Sequence, residues 1–279
     1  MSVQVGPSRY RGPSAIGDDL RRLGNLTFVL AATDFKLRFF GSALGYLWTL
    51  MRPLLLFGVL YVVFTEVVRF GGGIEHYPVY LLMSIVMFTY FGEATNRGVT
   101  SLIERENLLR KVRFPRLVIP LSVALHALFN LGLNLVAVFI FVLASGIAPR
   151  VEWLELLPLV ALLVLFATGV TMLLSALYVR YRDMQPIWEV VLQILFYASP
   201  VIYVTSTYPD GIEREAMANP ITAVLTQARH ALIDPSAPTA ADAIGGTARL
   251  LIPLFVVAAV FALGFWVFTR EAPRIAEEL

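Results

Sequence analysis

Long hydrophobic runs dominate the pattern of this chain and set the first expectation. Crossing the hydrocarbon core of a bilayer takes about 20 mostly apolar residues, and a helix satisfies its own backbone polar groups there. Leu44 to Thr65, Leu117 to Leu143, Leu156 to Val179, Ile187 to Val204 and Leu250 to Thr269 meet that standard, with only Arg52 and Glu189 as charged interruptions. A sixth run, Val79 to Leu102, carries Glu93, Asn96 and Arg97 in its second half. It reads as a span whose last turns are buried in protein or face water. The pattern predicts an all-α polytopic membrane protein with six transmembrane helices between residues 43 and 269.

Two further stretches are patterned differently. Asp18 to Gly41 mixes Leu20, Leu23, Phe28, Leu30, Phe35 and Leu37 with Arg21, Arg22, Lys36 and Arg38. It reads as an amphipathic helix on the cytoplasmic interface, over residues 18–42, behind a polar tail at 1–17; a disordered tail is the alternative. The segment 205–246 holds apolar Ile221, Val224, Leu225 and Leu232. Short re-entrant helices before the last span are expected there, followed by a tail at 270–279.

Charge sets the orientation. With six spans, Arg21, Arg22, Lys36, Arg38, Arg105, Arg110, Lys111, Arg113, Arg116, Arg180, Arg182, Arg270 and Arg274 fall on one side. The positive-inside rule puts that side, with both termini, in the cytoplasm. Composition agrees with a membrane protein: 58% of residues are hydrophobic and 15% charged, against about 25% charged in a soluble domain. Mean hydropathy is +0.73. The net charge of +2 is small, and the basic residues form no stripe that would suit nucleic acid. There is no cysteine, which removes disulfide and thiolate chemistry. Met1 to Leu20 is polar and rich in Gly and Pro, unlike a signal peptide, so the first apolar run is expected to be retained as a span.

Candidate chemistry begins with what the motifs do not offer. No G-x-x-x-x-G-K-[ST] loop is present, and Lys36 and Lys111, the only lysines, lie in no glycine-rich turn. Gly71 to Gly73 form an outer turn with no basic partner. If transport is ATP-driven, another chain supplies the hydrolysis. The loop at 103–116, with E-R-E-N-L-L-R-K-V-R-F-P-R from Glu104, pairs Glu106 with Arg110 four residues on and offers Leu108, Leu109 and Val112 as an apolar strip. On charge alone it reads as a solvated basic loop.

Polar residues also repeat at helical spacing inside two spans. Ser122, His126, Asn130 and Asn134 share one face and read as interhelical hydrogen bonding. Gln185, Glu189, Gln193 and Tyr197 share another and read as facing a polar cavity. His126 has no second ligand at metal spacing, so no metal site is expected. Phe57, Tyr61 and Phe64 share a face that suits either a glycan passage or ordinary packing. Tyr46, Trp48, Trp153 and Trp266 read as interface anchors.

Taken together, the motifs resemble a known family, the membrane subunits of type-2 ABC exporters and in particular the polysaccharide exporters. The resemblance runs from about residue 30 to residue 270. Its carriers are D-F-K-L-R-F-F-G-S-A-L-G-Y-L-W-T-L-M-R-P from Asp34, N-L-L-R-K-V-R-F-P from Asn107, Y-R-D from Tyr181 followed by Trp188, S-P-V-I-Y from Ser199, and N-P at Asn219 with Arg229 beyond. Thr33 departs from the family's usual Arg before the Asp, and Phe39 and Phe40 replace a Tyr and a polar residue.

The resemblance implies a homodimer in the bacterial cytoplasmic membrane, working with two copies of a separate ABC ATPase. That partner would use ATP and Mg, and this chain would bind no cofactor of its own. The expected cargo is a lipid-linked polysaccharide such as an O-antigen or teichoic acid; the alternative is a drug, haem or other small lipid-like molecule. The resemblance turns Asn107, Leu108, Leu109, Arg110, Lys111, Arg113 and Phe114 into an expected ATPase-coupling element. It assigns Phe57, Tyr61, Phe64, Glu189, Gln193 and Tyr197 to a channel lining. Arg38 and Arg52 are expected to meet the phosphate of a lipid carrier, and Tyr203, Asn219, Pro220 and Arg229 to close the outer end. A membrane-bound sugar transferase would need paired carboxylates for a metal, and only Asp18 and Asp19 stand together, with nothing at catalytic spacing. An ion-coupled carrier would need inverted repeats and broken spans, and the sequence shows neither.

Overall fold

The computed structural model describes residues 20–39, 45, 47–69, 74–111, 114–209 and 211–278, with the side chains of Phe39, Arg110 and residues 273–279 also left aside. The tail at 1–17, Asp18, Asp19, Gly41, Tyr46, the Gly71–Gly73 turn, Val112 and Arg113 lie outside the described residues. Among the described residues 83% are helical and none is in a strand.

The helices are α1 (Leu20–Phe39), α2 (Leu47–Val62, continued by a wider π turn over Val63–Val67), α3 (Tyr77–Glu104), α4 (Glu106–Lys111) and α5 (Val118–Ala144). They continue with α6 (Leu156–Arg180, entered through a 3-10 turn at Val151–Glu155), α7 (Met184–Ala198), α8 (Ile212–Ala216), α9 (Pro220–Leu232), α10 (Ala240–Ile244) and α11 (Leu251–Glu278). Four helical segments are long and apolar enough to cross a membrane: Leu47–Val67, Val118–Ala144, Val151–Arg180 and Thr247–Ala272.

The two remaining expected spans differ from these. α3 has 28 residues, about 42 Å of helix, so length is no obstacle, but it carries Glu93 and Arg97. α7 is only 15 residues, about 22 Å, and stops at Ala198 instead of running on to Val204. The reason is local. Pro200 has no N–H and disfavours helix in the residue before it, and Ser199 is extended, with ψ 151°. The apolar count alone had run the span through this break.

Packing is centred on α3. From Tyr77 to Phe91 almost every residue is buried, and the helix is flanked by α5 and α6. α6 in turn packs on α11. In a bilayer lipid tails are as apolar as leucine, so helices associate through close fit rather than by hydrophobic expulsion. Small residues supply that fit. A Cβ built on Gly264 would lie 2.1 Å from the carbonyl oxygen of Gly169, and one on Gly169 would lie 2.7 Å from the Cα of Phe261. The two backbones therefore touch. On the other side of α6, a Cβ on Gly98 would lie 2.4 Å from Thr171 Cγ2, while Thr171 Oγ1 donates to the carbonyl of Ala94 at 3.2 Å.

α2 and α7 are held more loosely. α2 is the least buried of the four long apolar segments. α7 has no buried residue, and Ile187, Val190, Ile194 and Tyr197 form an exposed face. α1 lies against α5, with Ala31 fully buried and Phe35 meeting the rings of His126 at 5.8 Å and Phe129 at 5.6 Å. Phe28 and Leu37, expected on its apolar face, are instead exposed.

Gly264→Val is therefore expected to lower the yield of monodisperse protein in detergent severalfold, because overpacking costs about 1–3 kcal/mol and here the obstacle is backbone. Gly132→Ala, where a Cβ would meet nothing within 4 Å, should leave the same size-exclusion profile unchanged. Equal yields for the two would remove the case for a glycine-sealed α6–α11 contact.

Candidate functional site

The bundle has two distinct polar regions. One sits at the end where α3 runs into α4, and it centres on Glu93. A carboxylate within an apolar bundle keeps its charge only if opposite charges and donors surround it. Glu93 ion-pairs with Arg38 of α1, has Arg97 Nη1 at 3.6 Å one turn along α3, and accepts from Asn130 Nδ2 at 2.9 Å on each oxygen. Arg38 Nη1 also lies 3.3 Å from His126 Nε2. A guanidinium only donates, so Nε2 is the acceptor and the imidazole proton sits on Nδ1. That Nδ1 is buried with no hydrogen-bond partner.

The polar stripe of α5 thus serves two purposes. Asn130 and His126 face the charges of α1 and α3. Ser122 and Asn134 donate back to carbonyls of their own helix, at Ile119 and Asn130.

Beside Glu93 opens a cavity of about 530 Å³. Arg38, Arg52, Glu93, Asn96 and Arg97 give it charge and hydrogen-bonding capacity, and Trp48, Phe88 and Phe196 give it aromatic walls. Pro53 lines it too. A proline within a helix withholds the N–H that the carbonyl four residues earlier, here Thr49 in the same wall, would otherwise accept. Three guanidiniums against one carboxylate leave an excess of two positive charges. Arg38 is engaged by Glu93, whereas Arg52 has no carboxylate within ion-pair distance among the described residues. The chemistry of this wall suits a multiply charged oxyanion attached to a ring that can stack, since guanidiniums recognise phosphate by paired N–H donors.

The sequence-derived sites distribute unevenly around this cavity. Arg38 and Arg52 line it together. None of the six residues expected in a channel lining does. Phe57 stacks on Tyr61 at 5.7 Å and meets Phe141 edge-on at 5.6 Å, and with Phe64 they pack against the core. Glu189, Gln193 and Tyr197 are exposed on the outward side of α7, while Leu192 and Phe196 of that helix face the cavity. Trp48, expected as an interface anchor, is a cavity wall. Spacing had no means of finding Trp48, Phe88, Asn96 or Phe196, which come from three helices.

In the loop expected to couple to an ATPase, α4 forms one short helix. Asn107, Leu108 and Lys111 are exposed, while Leu109 and Phe114 turn inward onto a cluster with Leu102, Leu117 and Phe268.

The second polar region fastens the opposite end. After α7 the chain runs extended, and its carbonyls need donors. Tyr77 donates to Ile202 O at 2.8 Å, and the Tyr80 hydroxyl reaches Tyr203 O at 2.8 Å and also Pro200 O. Tyr203 and Tyr208 donate to Tyr197 O and Ala198 O, each at 2.7 Å, capping the end of α7. Asn219 caps α9 by accepting from Ile221 N at 3.0 Å and donates to Ser199 Oγ at 2.9 Å, with Pro220 opening the helix. Arg229 lies over the Tyr80 ring at 5.8 Å and pairs with Asp234 at 3.1 Å. S-P-V-I-Y, N-P and the distant arginine are thus one physical unit.

Burial works to raise the Asp234 carboxyl, but donation from the Ser236 hydroxyl and N–H and the Arg229 charge outweigh it, leaving the pKa below 3.8. Among the described residues no three His, Asp or Glu side chains come together to hold a metal.

An apolar helix bundle with a cationic, aromatic cavity at one end and a helix-tipped loop beside it is a membrane transport subunit in form. Residues 25–233 match the ABC-2 type transporter family, and the chain belongs to it. It is 31% identical over 247 residues to the O-antigen export system permease protein RfbA of Myxococcus xanthus, covering 87% of this chain and 94% of that one. It is 28% identical over 208 residues to the protein of the same name from Klebsiella pneumoniae, covering 74% and 80%. The polysialic acid transport protein KpsM of Escherichia coli is 22% identical over 202 residues, covering 72% and 78%.

Two measurements check these networks. Glu93→Ala should destabilise the detergent-solubilised protein by about 2–4 kcal/mol, because it strands guanidiniums in a bundle. Adding Arg38→Met should restore part of that loss; strict additivity would show that the two side chains are uncoupled. For Asp234 the sign is fixed by its lowered pKa: the stabilisation is complete above the unfolded value of 3.8 and is lost as pH falls through the folded one. The wild-type Tm should therefore fall more steeply than that of Asp234→Asn as pH drops below 3.8. Parallel curves would contradict the pairing.

Proposed function

We propose that this chain is the channel-forming subunit of an ATP-driven exporter of a lipid-linked polysaccharide, of the O-antigen or teichoic acid kind. The observation that carries the reading is the cavity. It combines two unneutralised positive charges with Trp48, Phe88 and Phe196, a wall suited to the phosphate of a lipid carrier and the first sugar attached to it. Arg52 and Arg97 are the principal phosphate ligands and Arg38 a third. The named O-antigen and polysialic acid relatives support the same cargo class.

In this reading α3 and α7 complete six crossings, and the tyrosine-fastened region around Tyr203, Asn219, Pro220 and Arg229 closes the outer end. Both termini lie in the cytoplasm, and α1 rests on the inner interface. Two copies of the chain meet, and the exposed face of α7, with Glu189, Gln193 and Tyr197, lines the passage between them opposite α2 with its Phe57, Tyr61 and Phe64. The exposed residues Asn107, Leu108 and Lys111, with neighbouring Arg110 and Arg113, seat on a partner ATPase present in two copies. That partner supplies ATP and Mg chemistry, and this chain binds no cofactor.

Arg52→Gln combined with Arg97→Gln should cut surface glycan at least tenfold in an export assay while leaving membrane yield within twofold. Tenfold corresponds to about 1.4 kcal/mol, well within what losing two charge-assisted contacts removes. Normal export by the double variant would refute the anion site.

A further inference from the structure

The same end of the bundle holds a second ion pair that the cavity does not use. Asp34 of α1 pairs with Arg105, the residue between α3 and α4. Asp34 stands four residues before Arg38, so both project from one face of α1 at the spacing of a single helical turn. Arg38 reaches into the cavity and is tied to Glu93; Asp34 reaches the foot of α4. Arg105 is not a bystander in that foot. Its carbonyl accepts from the N–H groups of both Leu108 and Leu109 at 3.0 Å, so the residue that Asp34 grips also holds the first turn of α4. A small cavity of about 40 Å³ lies between the pairs, lined by Asp34, Arg97, Arg105 and His126, and leaves room for side chains to shift.

From this juxtaposition we infer that the last turn of α1 is a relay that reports occupancy of the cavity to α4. The inference rests on the reading of the cavity as a phosphate site. Glu93 is the counter-charge of Arg38. A phosphate anion entering beside Arg52 and Arg97 competes for that guanidinium. Glu93 keeps its two contacts to Asn130 and its neighbour Arg97, so the carboxylate stays with α3 and α5 while Arg38 moves toward the anion. A shift of Arg38 carries the helix turn that bears Asp34, and Asp34 carries Arg105 and the start of α4. The relay is reciprocal: whatever binds α4 and displaces Arg105 alters the hold of Arg38 on Glu93, and so the affinity of the cavity for its anion. Asp34 and Arg105 are positioning residues here, since neither lines the anion site.

The test uses the complete transporter, permease with its ATPase, in nanodiscs, with a polyprenyl diphosphate carrying no sugar as the probe. The chain has no cysteine, so a single thiol at Leu37 can report probe binding by fluorescence without removing native ones. Wild type should bind the probe and respond with a faster ATPase rate. Asp34→Asn should bind it with a Kd within twofold of wild type and keep its basal ATPase rate, yet lose at least four-fifths of the stimulation. Asp34→Arg and Arg105→Asp, each uncoupled alone, should regain at least half of it when combined, which a merely structural role would not produce. If Asp34→Asn does not assemble, the charge-swapped pair alone decides.

The relay is overturned if the probe stimulates Asp34→Asn fully, if the swap restores nothing, or if Asp34→Asn loses probe binding along with stimulation. It is also overturned if the wild-type rate ignores a bound probe. Failure of the underlying site looks different: the wild-type transporter does not bind the probe, or binds it equally well after Arg52→Gln and Arg97→Gln.

Discussion

A carboxylate held among apolar helices keeps its charge only where neighbouring groups replace the water it has lost, and the effective penalty of failing to do so is several kcal/mol. Glu93 meets that requirement from three helices at once. Arg38 comes from α1, Arg97 from one turn along α3, and Asn130 from α5. The dependence runs in both directions. Without Glu93 two guanidiniums would crowd each other beside the His126 imidazole; without Arg38, α1 would keep the Asp34–Arg105 pair but lose its tie to Glu93. Glu93 holds Arg38 where that guanidinium meets His126 and lines the cavity.

The rest of the bundle divides by how closely its backbones approach. α3, α6 and α11 are locked by Gly98, Gly169 and Gly264: an added Cβ would meet backbone at Gly169 and Gly264 and the Thr171 side chain at Gly98. Interiors packed this tightly change by discrete rearrangement, not by gradual deformation. α2 and α7 lack such contacts. α7 is fastened at its ends, by Trp188 Nε1 donating to Thr95 Oγ1 at 3.1 Å and by tyrosine hydroxyls at Tyr197 and Ala198. At its C-terminal end Phe196 also leans on Phe88 of α3, the rings meeting edge-on at 5.1 Å. A rigid three-helix spine with two loosely held helices is the mechanical arrangement an exporter needs, since the proposed passage must open for a polymer and close without it.

Much of this was legible in the sequence, and the failures have identifiable causes. Hydropathy placed the long apolar helices closely, because burial in lipid leaves a signal of about 20 residues that no local effect can hide. It also marked Glu93 and Arg97 as residues needing protein around them. What hydropathy could not see is pairing. Arg38 and Glu93 stand 55 residues apart, and neither period nor spacing joins them. The cavity failed for the same reason: Trp48 looks like an interface anchor until α2 and α3 are set side by side. The end of α7 was missed although its signal was present, since Pro200 stops a helix whatever the hydropathy of its neighbours. The tyrosines at Tyr77 and Tyr80 are the structural consequence of that stop, because the extended carbonyls of Pro200 to Tyr203 then need donors from another helix.

Charge also separates the cargo classes that the family permits. A lipophilic cation would enter a cavity with two excess positive charges, and even with effective screening like charges at about 6 Å oppose each other by several kcal/mol. A neutral lipid-like molecule would displace water from Arg52 and Arg97 without supplying a counter-charge, which is costly. In the proposed reading the site would therefore discriminate by what it leaves unpaired as much as by what it holds. An anion joined to a sugar answers both demands. In the proposed reading its phosphate would neutralise the guanidiniums and its ring would lie beside Trp48, with the lipid tail outside among the exposed apolar faces of α2 and α7. A haem carries the right charge through its carboxylates but presents a rigid macrocycle much wider than a sugar. Its planar face would have to sit between Trp48, Phe196 and Phe88, where Glu93 holds Arg38 across one side of the cavity.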